Sequence, residues 1–355
     1  MTHAWIVAFA IWTLPVLSAA QEPEPAAKPI DAKAVVAAMD AGIAWLVRHQ
    51  DETGVWSASQ FQRHDPKTDV CTGTGKPEQD LFVTAWATLA LLARTKTERL
   101  GPHAGPLPKA LRWLESQMRA DGFVGTRAAD NAVLAHALSC VALSQGKVLS
   151  GDPPPKQSAE CLLALRLPDG TWPARIGATK GDPMTTCWAA MICQLSISMS
   201  GTGVRMDLEP TLEAIEKGVL ATASLPSAEA MLRWFARHEP TTDARLAELC
   251  RALRDHRPQW RSGPDAARMD YLDWNMGTRA VFQMGGESWQ EWTAALQAAL
   301  VAHQRTDGAH AGSWDPVDAH GPMGGRVYAT AVNVCSLSFG EGLAQIFGSG
   351  GSDKK

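Results

Sequence analysis

The densest group of reactive side chains in the sequence is the run Asp270-Tyr271-Leu272-Asp273-Trp274-Asn275-Met276-Gly277-Thr278-Arg279. Its two carboxylates stand three residues apart, a spacing that puts them on one face of a helix. A carboxyl desolvated beside another carboxylate keeps its proton to higher pH and can deliver it to a substrate. The same run also reads as a helix start, with a capping Asp and a core Trp. Asp273, Asp270 and Asp182 are the candidates for catalysis, and Asp182, Asp273, Trp274 and Asn275 are candidate ligand contacts.

Other candidates sit in apolar stretches. Asp80, Asp130 and Asp182 each open one; capping of free helix amides explains them, and a place around a cavity mouth is compatible with it. His136 lies in NAVLAHALSCVALS (131–144), as a hydrogen-bonded core histidine or, if that face lines a cavity, as a ligand contact. Arg326 and Tyr328 begin RVYATAVNVCSLSF (326–339). They suit an anionic or hydroxylated ligand head, or Arg326 ties helix ends together. Trp188, in MTTCWAAMICQLSISM (184–199), is a ligand contact if it faces a cavity and a packing residue otherwise. The polar segment 57–79 carries His64, Asp69 and Cys71, whose spacing completes no closed tetrahedral set. No metal site and no cofactor is expected there, and loop ordering or a cavity lid is the expected role. No nucleophile elbow, Walker loop or dinucleotide fingerprint occurs.

What positions these residues is a repeat. AWLVRHQDETGVW (44–56), RWLESQMRADGFVG (112–125), LLALRLPDGTWP (162–173) and LVAHQRTDGAHAGSWDP (300–316) share one form. Each ends an amphipathic helical pattern near Gln or Arg, then passes through an acidic-Gly turn, often with Trp. Gly122 to Gly170 is 48 residues, and Gly170 to Gly308 is 138, three steps of 46. Two weaker copies therefore belong near Glu216-Lys217-Gly218 and Trp260-Arg261-Ser262-Gly263. Gly54 to Gly122 is 68, so the first unit holds an insertion, 57–79. After most turns comes a more apolar helix without a wide polar face, which must be buried on most sides. Six such pairs imply an all-α ring of outer and inner helices over 36–345; an open solenoid uses the same pattern.

Composition limits the partners. The chain has 33 Lys and Arg against 37 Asp and Glu, well mixed, for a formal charge of -4. That excludes a nucleic-acid or polybasic membrane footprint. Residues 1–20 are apolar and end on small residues, with Ser18 and Ala20 placed for signal-peptidase cleavage. Export to the periplasm or beyond is expected, with no stable membrane insertion after cleavage. Residues 21–35 read as a Pro-rich linker and 346–355 as a tail. The seven cysteines are too sparse for a disulfide framework and, Cys71 apart, sit in apolar helices as free thiols.

The turn Gln/Arg–acidic–Gly–x–Trp resembles the QW repeats of squalene-hopene cyclases and the matching turns of protein prenyltransferase β subunits. DYLDWNMGTRAVFQMGGESWQEW (270–292), GSWDP (312–316) and GGRVYATA (324–331) resemble exported bacterial proteins with prenyltransferase/squalene-oxidase repeats. The resemblance implies an (α/α)6 toroid of six helix hairpins with QW-like turns. Two features of the enzymes it names are absent from the sequence. There is no D-x-D-D acid cluster, and the chain has about half the length of those two-barrel cyclases. The zinc-binding His of prenyltransferases, expected within Tyr328-Ala329-Thr330, falls on Ala329, and Asp69-Val70-Cys71 has the Asp-x-Cys spacing inside the insertion. Three readings stand: a toroid binding a small molecule or protein in or around its cavity without chemistry, a terpenoid-cyclase-like enzyme with Asp273 as acid, and a glycan-processing enzyme using opposed carboxylates.

Overall fold

The computed structural model describes residues 30–94, 105–199, 207–217, 226–237 and 243–341, and only the backbone path of 194–199, 234–237 and 340–341. The proposed signal segment 1–20 and the tail 346–355 lie outside these residues. Among the described residues twelve α-helices alternate in chain order between outer and inner positions. The outer helices are α1 (Ala32–Arg48), α3 (Pro106–Ser116), α5 (Lys156–Ala164), α7 (Glu209–Glu216), α9 (Ala244–Asp255) and α11 (Gly286–Val301). The inner ones are α2 (Asp80–Arg94), α4 (Ala132–Ser150), α6 (Pro183–Met199), α8 (Pro226–Arg237), α10 (Tyr271–Met284) and α12 (Gly321–Leu337). No strand occurs among the described residues, only an isolated bridge between Met118 and Val124. Residues 32–35, read above as linker, belong to α1, because Asp31 caps the helix by accepting the Lys33 N–H.

Burial separates the two rings as the apolar patterns require. On α3 only Leu107, Ala110 and Leu114 are buried, one stripe at helical spacing. On α2 every residue from Phe82 to Ala93 is buried, and on α4 every residue from Ala132 to Gly146. Each inner helix packs on the next, α2 on α4, α6, α8, α10 and α12 in turn, and α12 returns to α2. The ring is closed. This decides against the open solenoid. Among the described helices only α4 is long and apolar enough to cross a bilayer, and it lies mostly buried within the ring.

The turn motif is a clasp between the rings. Trp56, Trp172 and Trp314 are fully buried. Their indole N–H groups donate to outer-helix carbonyls, those of Leu46, Leu162 and Leu300, at 2.7, 2.9 and 2.8 Å. Their backbone N–H groups donate to inner-helix hydroxyls, those of Thr84, Thr186 and Thr330, at 3.0, 2.9 and 3.3 Å. One residue thus fixes both helices of its hairpin, and Gly54 and Gly170 supply the left-handed turn before Trp56 and Trp172, as Gly122 does before Val124. In the second unit Val124 stands in the Trp place, and its N–H donates to Nδ1 of His136 at 3.1 Å.

The 57–79 insertion joins the ends of the ring. Lys76 N–H donates to the Met323 carbonyl (2.8 Å), Arg326 N–H to the Gly73 carbonyl (2.7 Å) and Ala309 N–H to Asp69 (2.6 Å). Gly325 makes this approach feasible: its φ is 65°, and a Cβ there would stand 2.3 Å from the Gly75 nitrogen. The insertion therefore laces the first unit to the last.

Candidate active site

Every hairpin runs outer helix first, so the inner helices are parallel and their N-termini gather at one mouth of the ring. Carboxylates collect there because the amide ends and dipoles of the helices favour negative charge. Asp270 caps α10, accepting the Asp273 N–H at 2.9 Å. Its other oxygen lies 3.4 Å from Nε2 of His320, the residue before α12. Asp273, in the first turn of α10, accepts the Ser227 hydroxyl of α8 at 2.7 Å. Asp182 accepts the Thr185 N–H at the start of α6 (2.8 Å), and its charge reaches His320. Asp318 accepts the Tyr328 hydroxyl (2.9 Å) and the Tyr271 N–H (3.2 Å) with one oxygen, while its other oxygen is buried without a partner among the described residues.

The electrostatics divide these acids into two kinds. Burial pushes the Asp273 carboxyl up to about 6; the Ser227 hydroxyl opposes the rise and the Asp270 charge adds to it. Asp318 is likewise pushed by burial up to about 6. Burial also works against the charged forms of Asp270 and His320. Their mutual ion pair outweighs it, holding Asp270 below the usual carboxylate range and His320 above the usual imidazole value. Asp270 and His320 nevertheless keep 30% and 28% of their side-chain exposure. That exposure leaves the pair within reach of solvent at the helix N-termini. An ionised pair beside two proton-retaining carboxyls is an arrangement suited to proton transfer.

Aromatic rings surround the group. The chain has only two tyrosines, and both are here, fully buried. Tyr328 stacks on Phe82 and approaches Tyr271, which in turn meets Trp274 at 5.4 Å and Trp260 at 6.2 Å. Deeper in the ring, Trp86 of α2 meets Trp188 of α6 edge to face at 5.2 Å. Those helices are separated by α4, so the pair spans the ring interior. The Arg279 guanidinium lies over Trp188 at 5.4 Å and over Phe339 at 4.7 Å. Burial lowers Arg279 to about 10, which leaves it a cation at neutral pH. The Trp86 and Trp188 indole N–H groups and both amide atoms of Asn333 are buried without a partner among the described residues.

The sequence candidates thus fall into separate places. Asp182, Asp270, Asp273 and Tyr328 share the mouth, Trp274 packs beside Tyr271, and Trp188 is buried in the ring interior against Trp86. Asn275 bridges inner helices, donating to Ser336 (2.9 Å) and accepting from Arg279 (3.0 Å). His136 stands apart: it stacks on Phe123 at 4.6 Å, receives the turn N–H, and is held neutral, with burial lowering it to about 4. Arg326 also stands apart, fully committed to Thr72 and Ser313 (2.7 and 2.9 Å) and to Asp315 (2.5 Å). Of the three capping aspartates, Asp182 caps. Asp80 instead receives the Ala58 N–H (2.8 Å), and Asp130 pairs with Arg175 at the exposed surface. Sequence reasoning missed Asp318, His320 and Ser227. Asp318 and His320 precede the last inner helix as Asp182 precedes α6, which was the available signal.

No protein-family model and no curated protein matches the chain. Among solved structures, it is similar to a variant of the type II terpene cyclase MstE from Scytonema, in complex with its product merosterolic acid A. The identity is 14%, over 86% of this chain and 97% of that one, with a TM-score of 0.53. At that identity the likeness concerns the fold, and this chain has the α/α toroid of the terpene cyclases.

Proposed function

We propose that this chain is an acid-catalysing enzyme of the terpenoid-cyclase kind, with Asp273 as the proton donor at the inner-helix mouth. The observation that carries the reading is Asp273 itself: a carboxyl pushed up to about 6, held by Ser227, and flanked by the Asp270–His320 pair. Its proton would pass to a substrate alkene carbon, forming a C–H bond and leaving a carbocation. Loss of a proton to water or to a rim carboxylate would return the substrate to neutrality. The rings of Tyr271, Trp274, Phe82 and Tyr328 offer π faces to such a cation. Protonation needs no diphosphate leaving group, so the reading is compatible with export, which we propose on residues 1–20.

A second reading is favoured by different atoms. The unpartnered indole and amide groups of Trp86, Trp188 and Asn333 suit a hydroxylated ligand, held without chemistry or processed as a glycan. Incubating the purified mature protein with linear polyprenes and with oligosaccharides, followed by mass analysis of products, separates the readings. Cyclised isomers lost in Asp273→Asn support the first. Cleaved sugars support glycan processing, and bound but unchanged ligand in native mass spectra supports the binding toroid. The proposed export is checked by the N-terminal residue of the protein recovered outside the cytoplasm.

A further inference from the structure

The insertion brings together a second group of chemically capable side chains, remote from the mouth. His49 ends α1, and Asp65 and Cys71 come from the insertion. His49 Nε2 lies 2.7 Å from Asp65 Oδ1, and Cys71 Sγ lies 3.8 Å from that nitrogen and 3.6 Å from that oxygen. The three are buried, with side-chain exposures of 2% and 3% for His49 and Asp65 and a residue exposure of 2% for Cys71. Trp45 covers His49 face to face at 4.0 Å, and Phe61 meets it edge-on.

The hydrogen bonds define which atoms carry lone pairs. His49 Nδ1 is 2.7 Å from the Trp45 carbonyl, which can only accept, so Nδ1 bears the hydrogen. A neutral imidazole then presents an Nε2 lone pair to Asp65 Oδ1, itself an acceptor. Asp65 Oδ2 is already engaged by the Cys71 N–H at 2.8 Å. Two facing acceptors with a thiol beside them need a cation between them, either a proton or a metal ion. A backbone carbonyl fixing the tautomer of a ligand imidazole is the usual outer support of a metal site.

We propose that His49 Nε2, the Asp65 carboxylate and Cys71 Sγ bind a divalent cation of the zinc class. Their three donor types are those zinc takes, with bonds of about 2.0–2.3 Å, and tetrahedral edges of about 3.3–3.7 Å follow from those lengths. The sulfur separations of 3.8 and 3.6 Å already approach that size. The nitrogen–oxygen separation opens as the ion replaces the shared proton. Binding forms the sulfur–metal bond and releases two protons to solvent, the thiol proton and the one shared by His49 Nε2 and Asp65 Oδ1; carboxylate and thiolate then balance the two positive charges. The site is distinct from the last inner helix, where Ala329 replaces a histidine. The ion would pin the insertion to α1, and through it the first unit to the last.

The test uses the full mature chain, stripped with chelator and titrated with Co2+ and Zn2+. About one equivalent of Co2+ should bind with a near-ultraviolet sulfur-to-cobalt band, and Zn2+ should displace it and raise the thermal midpoint. Cys71→Ser should abolish the band, and His49→Gln should weaken binding by roughly tenfold or more. A folded wild-type chain that binds Co2+ substoichiometrically, or without the sulfur band, overturns the proposal, as does a band that persists in Cys71→Ser.

Discussion

Replacing Asp273 by Asn tests the acid at the mouth without removing its shape or its contact to Ser227. The wild-type carboxyl moves from an ordinary 3.8 to about 6 on folding. A group that binds its proton more tightly when folded contributes stability that is fully present below its unfolded value. That contribution is lost as pH rises through the folded value. A rise of about two pH units at about 1.4 kcal/mol each gives a loss on the order of 3 kcal/mol between about pH 4 and pH 7. Asp318 and His320 titrate in both proteins, so the difference between wild type and Asp273→Asn reports Asp273 together with its coupling to Asp270. His256 and Asp270 are the charged groups acting on it. Urea unfolding at closely spaced pH values is the assay. The wild type should lose stability relative to the variant across this window. Parallel curves, or a wild type that gains with rising pH relative to the variant, would refute the buried, protonated Asp273. Any Asp273-dependent turnover should fall above about pH 6, since at pH 7 roughly one carboxyl in ten keeps its proton.

Thr186→Val keeps the side-chain shape but strips the buried Trp172 N–H of its acceptor at 2.9 Å, while the Trp172 carbonyl loses the hydroxyl at 3.1 Å and keeps the Asp182 N–H at 2.8 Å. Urea unfolding should show a loss of about 2 kcal/mol, and a change within error would deny the turn clasp its weight. His136→Thr restores the residue type found at the equivalent places and should lower stability by about 1–3 kcal/mol, through the smaller side chain. It should leave captured-ligand affinity alone; weaker ligand binding would return His136 to the cavity. Gly325→Ala forces a Cβ onto the Gly75 backbone at φ 65° and should cost more than about 2 kcal/mol. Amide exchange at residues 72–76 should rise with it, and unchanged protection there would mean that the insertion does not depend on this contact.

The turn spacing alone makes the six units legible, including the two degenerate ones that fold as α7–α8 and α9–α10. Local chemistry suffices for that, because a helix stripe and a left-handed glycine turn are properties of neighbouring residues. The site was legible only in part. Asp270 and Asp273 could be paired because they lie one helical turn apart. Ser227, Asp318 and His320 reach them from α8 and from the approach to α12, and sequence distance hid that. The same limit left two readings open for His136 and for Arg326. A histidine in an apolar helix, or an arginine at its start, does not say which way its side chain faces.

The sequence by itself determined the helix content, the six hairpins and the apolar character of the inner set, since these follow from periodicity and turn chemistry. Only the tertiary structure decided that α12 returns to α2, that the insertion laces the two ends, and which carboxyls keep their protons. Closure depends on contacts between the ends of the chain, and a proton's affinity depends on burial and on charges brought close by other helices. Neither is encoded in any single stretch.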